Sequence, residues 1–174
     1  MPVYRFTVPG HSTRRELAVY AVVARKVGAC EFFIYVGKTG DNNAGCNPVI
    51  SRAGNHFSYN EMHSQVRNKV TDPHLFDYEF FYVTFDTYDK DNRKSKVDVV
   101  NEMERAANRE LHSRLPPAFA PCLLNRYKGS GYLSAAKRVM RRNFLTPERE
   151  RSITALVDSV VEYIESFNAE FANR

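Results

Sequence analysis

Two tyrosines, a lysine, and an arginine followed four residues later by a histidine stand close together early in this chain, and together they could do acid–base chemistry on a charged substrate. Tyr20 lies in Ala18-Val19-Tyr20-Ala21-Val22-Val23 and Tyr35 in Phe32-Phe33-Ile34-Tyr35-Val36, two runs rich in β-branched and aromatic residues that predict strands. Gly37-Lys38-Thr39-Gly40 follows as a predicted polar loop, then Arg52 and His56. A hairpin presenting two phenols, with a cationic loop and an Arg/His helix behind it, is a poor way to build a core. Phosphodiester hydrolysis, by contrast, needs an activated water, neutralisation of charge in the transition state and help for the leaving oxygen, and these residue types supply such groups. Taken singly, each has a plainer role: strand tyrosines pack beside Phe32 and Phe33, Arg52 and His56 form an exposed helix face, and Lys38 is solvated.

Composition is compatible with that chemistry. The chain has 174 residues, 43% hydrophobic and 26% charged, which suits one globular domain and argues against disorder. Its net charge of +5 fits a polyanionic partner, since neutralising phosphates releases counterions. No apolar run is long enough to span a membrane, and the N-terminus lacks the pattern of a signal peptide. Cys30, Cys46 and Cys122 are odd in number and scattered, as expected of reduced thiols in a cytoplasmic protein, and no Cys/His spacing suggests structural zinc.

The elements that must position these groups follow from pattern. Residues 1–13 form a short strand or arm ending at Pro9-Gly10, and Arg25–Glu31 is a hairpin loop with Gly28 supplying a permissive backbone. Gly40–Pro48 is a surface loop. Val49–Val70 is helical, as one helix or two, with Ile50, Phe57, Met62, Val66 and Val70 as its apolar positions, closed by Thr71-Asp72-Pro73. Asp77–Asp86 is the clearest strand, aromatic enough to suit a central position. Asp89–Lys96 is a solvated charge run. Val97–Leu115 is an amphipathic helix stopped by Pro116-Pro117, and Asn125–Gly131 is a polar turn. A basic helix around Ser134–Phe144 carries Lys137, Arg138, Arg141 and Arg142, which either contact phosphates or form a solvated face. The last helix opens at Thr146-Pro147-Glu148 and bears a stripe of Ile153, Leu156, Val157, Val160, Ile164, Phe167 and Phe171 that needs a partner.

In this order the residues resemble the GIY-YIG endonuclease family. Its two signature tripeptides match Ala18-Val19-Tyr20, with Ala for Gly, and Tyr35-Val36-Gly37; its Arg/His pair matches Arg52 and His56. Its metal-binding glutamate matches Glu104 in Met103-Glu104-Arg105-Ala106-Ala107, with Glu102 the competitor, and its later asparagine matches Asn125. Tyr35-Val36-Gly37-Lys38 is similar to the tetrapeptide of the bacterial excision-repair nuclease, whereas the Arg-to-His pair is closer to homing and restriction nucleases. The likeness covers roughly residues 17–127. The chain departs from the family pattern at Ala18, in a long loop before Arg52 and in a wide Glu104-to-Asn125 spacing.

The resemblance implies an α/β (α+β) fold: a small, mainly antiparallel sheet of about three strands flanked by helices. The organisation expected is an arm (1–16), a nuclease-like domain (17–130) and a C-terminal helical extension (131–174) packing on the domain or on a partner subunit. It implies a DNA endonuclease, type II restriction-type or repair-type, with Tyr20 as general base, as a phenol or a phenolate, its pKa lowered by a nearby cation such as Lys38 or by a metal-linked water. Tyr35 would orient water or phosphate, Arg52 would stabilise developing charge, and His56 would position Tyr20 or shuttle a proton. Glu104 would hold one Mg²⁺, for which Mn²⁺ could substitute, and Asn125 would fix the glutamate and first-strand region. Cutting both strands would favour a homodimer. The alternatives are an inactive nucleic-acid-binding protein of the same fold, or a nuclease acting on RNA or branched DNA.

Overall fold

An unbroken buried run from Leu17 to Ala24 decides which strand lies in the middle. In the computed structural model, which describes residues 3–40, 46–60, 64–89, 91, 93–125 and 134–172, this run belongs to β1 (Glu16–Lys26). It is flanked by β2 (Phe32–Lys38) and β3 (Phe76–Thr87) in an antiparallel three-stranded sheet of order β2-β1-β3. From Ala18 to Ala24 only small and β-branched side chains, with one tyrosine, occupy β1, so both of its faces can be covered there. Val19, Ala21 and Val23 join the larger core, and Tyr20, Val22 and Ala24 the smaller one.

The aromatic strand expected at the centre is instead an edge. Tyr78, Phe80, Phe81, Tyr82 and Phe85 of β3 are only half-buried, because their rings reach inward while their rims stay in solvent. The β1–β2 turn is shorter than Arg25–Glu31: Arg25 and Lys26 remain in the strand, the Lys26 N–H donates to Glu31 O at 2.9 Å, and Gly28 takes φ +77°. Gly37 and Lys38, expected in a polar loop, extend β2. Thr39 is fully buried: its Oγ1 donates to Glu16 O and accepts from Ala18 N, at 2.7 and 2.8 Å, latching the end of the hairpin. The loop after Gly40 returns to the core at Cys46; residues 41–45 lie outside the described residues.

Among the described residues four α-helices flank the sheet: α1 (Val49–Phe57), α2 (Arg93–Arg114), α3 (Ala135–Arg142) and α4 (Pro147–Ala172). The helical pattern expected over Val49–Val70 is thus one short helix and, beyond it, a turn at 65–70; Met62 lies outside the described residues. The charge run expected as loop already enters α2 at Arg93. Val100, Met103, Ala107 and Leu111 of α2 and Ile153, Leu156, Val157, Val160 and Ile164 of α4 bury into one cluster under β1, and Phe167 is buried where the Arg25 guanidinium lies over its ring. Each such aliphatic side chain contributes roughly 1.5–3 kcal/mol. The α4 stripe is therefore covered within this chain from Ile153 to Phe167, the Phe171 side chain lying outside those described, and α4 begins as expected, with Thr146 Oγ1 accepting from Arg149 N. The N-terminal residues form an exposed arm with a short 3₁₀ turn at Gly10–Thr13, not a strand.

Candidate active site

The smaller core cluster, on the sheet face away from α2 and α4, is where the phenols meet. Tyr20 pairs with Gly37 across β1 and β2, and Tyr35 with Val22, which puts both phenols on one face. A Cβ on Gly37 would stand 2.4 Å from Tyr20 Cζ and Oη, so only glycine lets the ring lie across β2. The second glycine of the hairpin is thus a seat for the first tyrosine.

α1 delivers Arg52 and His56 from adjacent turns of one face. His56 Nε2 lies 2.7 Å from Tyr20 Oη; its ring meets Tyr35 edge-on with centroids 4.8 Å apart, and Tyr20 and Tyr35 are 6.5 Å apart. His56 is 1% exposed and Tyr20 wholly buried. Burial, then the neighbouring Tyr35, holds the Tyr20 phenol well above the usual tyrosine range; the Arg52 guanidinium beside it pulls the other way, and Glu104 adds to the rise. The expected lowering by Lys38 does not occur. Burial also pushes His56 down to about 4, with Arg52 and then Lys69 adding to the effect. At neutral pH the pair is therefore a neutral phenol against a neutral imidazole.

Lys38 has a different role, since its Nζ donates to Glu104 Oε2 at 2.6 Å with both side chains mostly covered. Glu102, two residues earlier, pairs instead with Arg105 at 2.8 Å. Of the two candidate carboxylates, Glu104 is the one beside the hairpin. Asn125 clamps β2 rather than the glutamate or the first strand. Its Oδ1 accepts from Val36 N and its Nδ2 donates to Val36 O, both at 2.8 Å, while Leu124 N donates to Ile34 O. Residues 123–125 thereby cover the open edge of the strand that carries Tyr35.

The structure brings together Tyr20, Tyr35, Arg52 and His56, with Glu104 near enough to act on the phenol and Lys38 paired to it. The basic helix is elsewhere: α3 packs on α2, where Arg141 pairs with Asp98, while Lys137 and Arg142 are exposed and Arg138 half-buried. The turn expected at 126–131 lies outside the described residues. Lys69 was missed by sequence reasoning. Its Nζ sits 5.4 Å from the Tyr35 ring centre and donates to Leu124 O at 3.2 Å, a long-range placement with no local signal in the sequence.

Among the described residues no group of three or more His, Cys, Asp or Glu side chains gathers, so a cation held at Glu104 would rely on one carboxylate. That donor set fits Mg²⁺, which binds through one or two carboxylates and fills its remaining positions with water and substrate phosphate. In comparison with known proteins, no family model matches the chain, nor does any curated protein or solved structure.

Proposed function

We propose that this protein is a Mg²⁺-dependent DNA endonuclease that cleaves phosphodiester bonds in the manner of the GIY-YIG family it resembles. The observation carrying this is the convergence of Tyr20, Tyr35, Arg52 and His56 from β1, β2 and α1 on one cluster, with Glu104 acting on the same phenol.

The Tyr20–His56 contact supports a relay rather than a free phenolate. With Nε2 accepting, and once the cluster that buries Tyr20 opens to admit the attacking water, the phenol gives its proton to His56 as it takes one from that water. Tyr20 ends neutral, His56 ends as imidazolium, the water oxygen bonds to phosphorus and the bond to the leaving oxygen breaks. His56 is a weak base chiefly because it is buried, and the charges of Arg52 and then Lys69 weaken it further. A phosphate set beside those cations offsets their charge and raises its basicity when the proton must move. Arg52 lies where a planar donor can stabilise the added negative charge. Tyr35, edge-on to His56, orients the water or a phosphate oxygen. Mg²⁺ held by Glu104 would supply charge neutralisation at the phosphate and leaving oxygen.

Plasmid DNA incubated with Mg²⁺ should be nicked or linearised, and EDTA should abolish this. Wild-type cleavage no greater than that of Tyr20→Phe or Glu104→Ala would rule the activity out. Substituting RNA and branched DNA in the same assay distinguishes the substrate classes.

A further inference from the structure

Four cations lie at or near the tyrosine cluster or on the candidate basic helix with partners that can be compared. Lys38 is paired with Glu104 and Arg141 with Asp98, so their charges are already matched. Arg52 acts on Tyr20 and His56. Lys69 differs from the first two. It donates to the Leu124 carbonyl at 3.2 Å and stands over the Tyr35 ring at 5.4 Å, and among the described residues it meets no carboxylate. An ammonium has three N–H donors, and a single long bond to a carbonyl leaves capacity for an anion.

Its backbone is also well held. Val66 and Val70, on either side of it in the turn, are buried in the same cluster as Tyr20 and Tyr35. Arg67 N donates to His56 O at 3.2 Å, and Ser64 Oγ donates to Ser58 O. The turn is therefore pinned to the end of α1 that presents His56, while the Lys69 side chain reaches to the segment carrying Asn125. Lys69 spans the two supports of the tyrosine cluster and is itself exposed. Next to it, the Arg67 guanidinium lies 3.6 Å above the ring of the exposed Tyr59, continuing the cationic rim.

We infer that Lys69 is a phosphate-binding residue of the substrate site, gripping a DNA backbone phosphate over the Tyr35 ring, beside the bond to be cut. This rests on the nucleolytic function proposed above. Burial lowers the Lys69 pKa, and its charge reaches His56, both consistent with an ammonium facing into the cluster.

The test is DNA binding in EDTA, where no cleavage occurs, by anisotropy of a labelled duplex over a range of salt concentrations. Lys69→Gln keeps a donor for Leu124 O and removes the charge; Lys69→Arg keeps the charge. Lys69→Gln should weaken binding about tenfold near 0.1 M salt and reduce the log–log salt slope by about 0.9, the loss of one phosphate contact. Lys69→Arg should restore both, and thermal melting should show all variants folded. A Lys69→Gln slope equal to wild type overturns the assignment. If wild type cuts plasmid DNA in Mg²⁺ while Lys69→Gln binds normally, only the role of Lys69 falls. If the slope changes as expected but wild type does not cut, the grip stands and the nuclease activity falls. A wild type that binds no DNA overturns both.

Discussion

Tyr20 Oη and His56 Nε2 stand 2.7 Å apart inside the protein, on residues that β1 and α1 carry 36 positions apart. A phenol and an imidazole both removed from water would each cost stability if unpaired, and the hydrogen bond between them satisfies one atom of each. If this pair is the proton relay, Tyr20→Phe should lower cleavage by about 10²–10⁴-fold, the range for losing a general base. The fold should change by only about 1–2 kcal/mol, because the ring still fills its seat on Gly37. Cleavage kinetics beside urea melts check this; equal losses in rate and stability would mark the tyrosine as packing alone.

The depressed basicity of His56 makes stability depend on pH. Its folded pKa of about 4 lies below the unfolded value of 6.5, so between these values the unfolded chain binds the extra proton. Stability is then fully present above about 6.5 and falls as pH drops towards 4, by on the order of 3 kcal/mol in total. Denaturant melts from pH 7 to 4 should show this slope in wild type and a shallower one in His56→Gln. The same protonation should place the acid limb of free-enzyme kcat/KM near 4 rather than 6.5, leaving the rate flat with respect to His56 from pH 6 to 8.

Gly37→Ala tests the seat of the first tyrosine. The added methyl would meet the Tyr20 ring at 2.4 Å, closer than any relaxed contact, so either the ring or β2 must move. Overpacking of this kind costs about 1–3 kcal/mol, and displacement of Tyr20 from His56 should remove most of the activity as well. Gly54→Ala is the control, since nothing lies within 4 Å of its Cβ position. A Gly37→Ala protein as stable and as active as wild type would disprove the seat.

How much of this was legible in the sequence can be seen residue by residue. The alternation that places Tyr20 and Tyr35 on one face follows from strand periodicity, as does the i, i+4 pairing of Arg52 and His56 on a helix. The apolar stripes of α2 and α4 also predict their burial. What did not follow is set by tertiary packing. β3 reads as central because aromatic side chains are hydrophobic by composition, yet the compact residues of β1 are what can be covered on both sides. Thr39 reads as a loop residue because its two side-chain hydrogen bonds go to positions 21 and 23 residues away. A lysine three residues beyond Tyr35 reads as a cation that lowers the Tyr20 pKa, whereas Lys38 turns to Glu104 and burial raises it.

Asn125 supplies a prediction about the edge of β2. Its side-chain amide makes both hydrogen bonds to Val36 that a neighbouring strand would make. Asn125→Ala leaves both groups unmatched and should cost about 1–3 kcal/mol. Asn125→Asp keeps an acceptor for Val36 N but sets a carboxylate against Val36 O, so it should be no better than Ala. Hydrogen exchange at Val36 and at Leu124, whose N–H donates to Ile34 O, should accelerate in both variants, whereas exchange in the middle of β1 should not. Unchanged protection at Val36 would show that the clamp does not secure the strand.

The Lys38–Glu104 pair gives the sharpest test of metal binding that needs no catalysis. The two groups are 2.6 Å apart with side chains 16% and 22% exposed, so removing either leaves a partly buried charge, and a double-mutant cycle should report coupling of about 1–2 kcal/mol. Mg²⁺ must compete with the Lys38 ammonium for the same carboxylate. A bound ion stabilises the folded state by RT ln(1 + [L]/Kd), about 1.4 kcal/mol at ten times Kd, which raises Tm by roughly 3–6 °C in a domain of this size. Lys38→Met removes the competitor, so its Tm should rise at lower Mg²⁺ concentrations than wild type. Glu104→Gln should show no Mg²⁺-dependent rise, whereas Glu102→Gln, whose carboxylate faces Arg105, should respond as wild type does. A Glu104→Gln protein that still gains stability from Mg²⁺ would move the ion elsewhere, and a Lys38→Met protein with an unchanged response would show that the ammonium and the ion do not share the carboxylate.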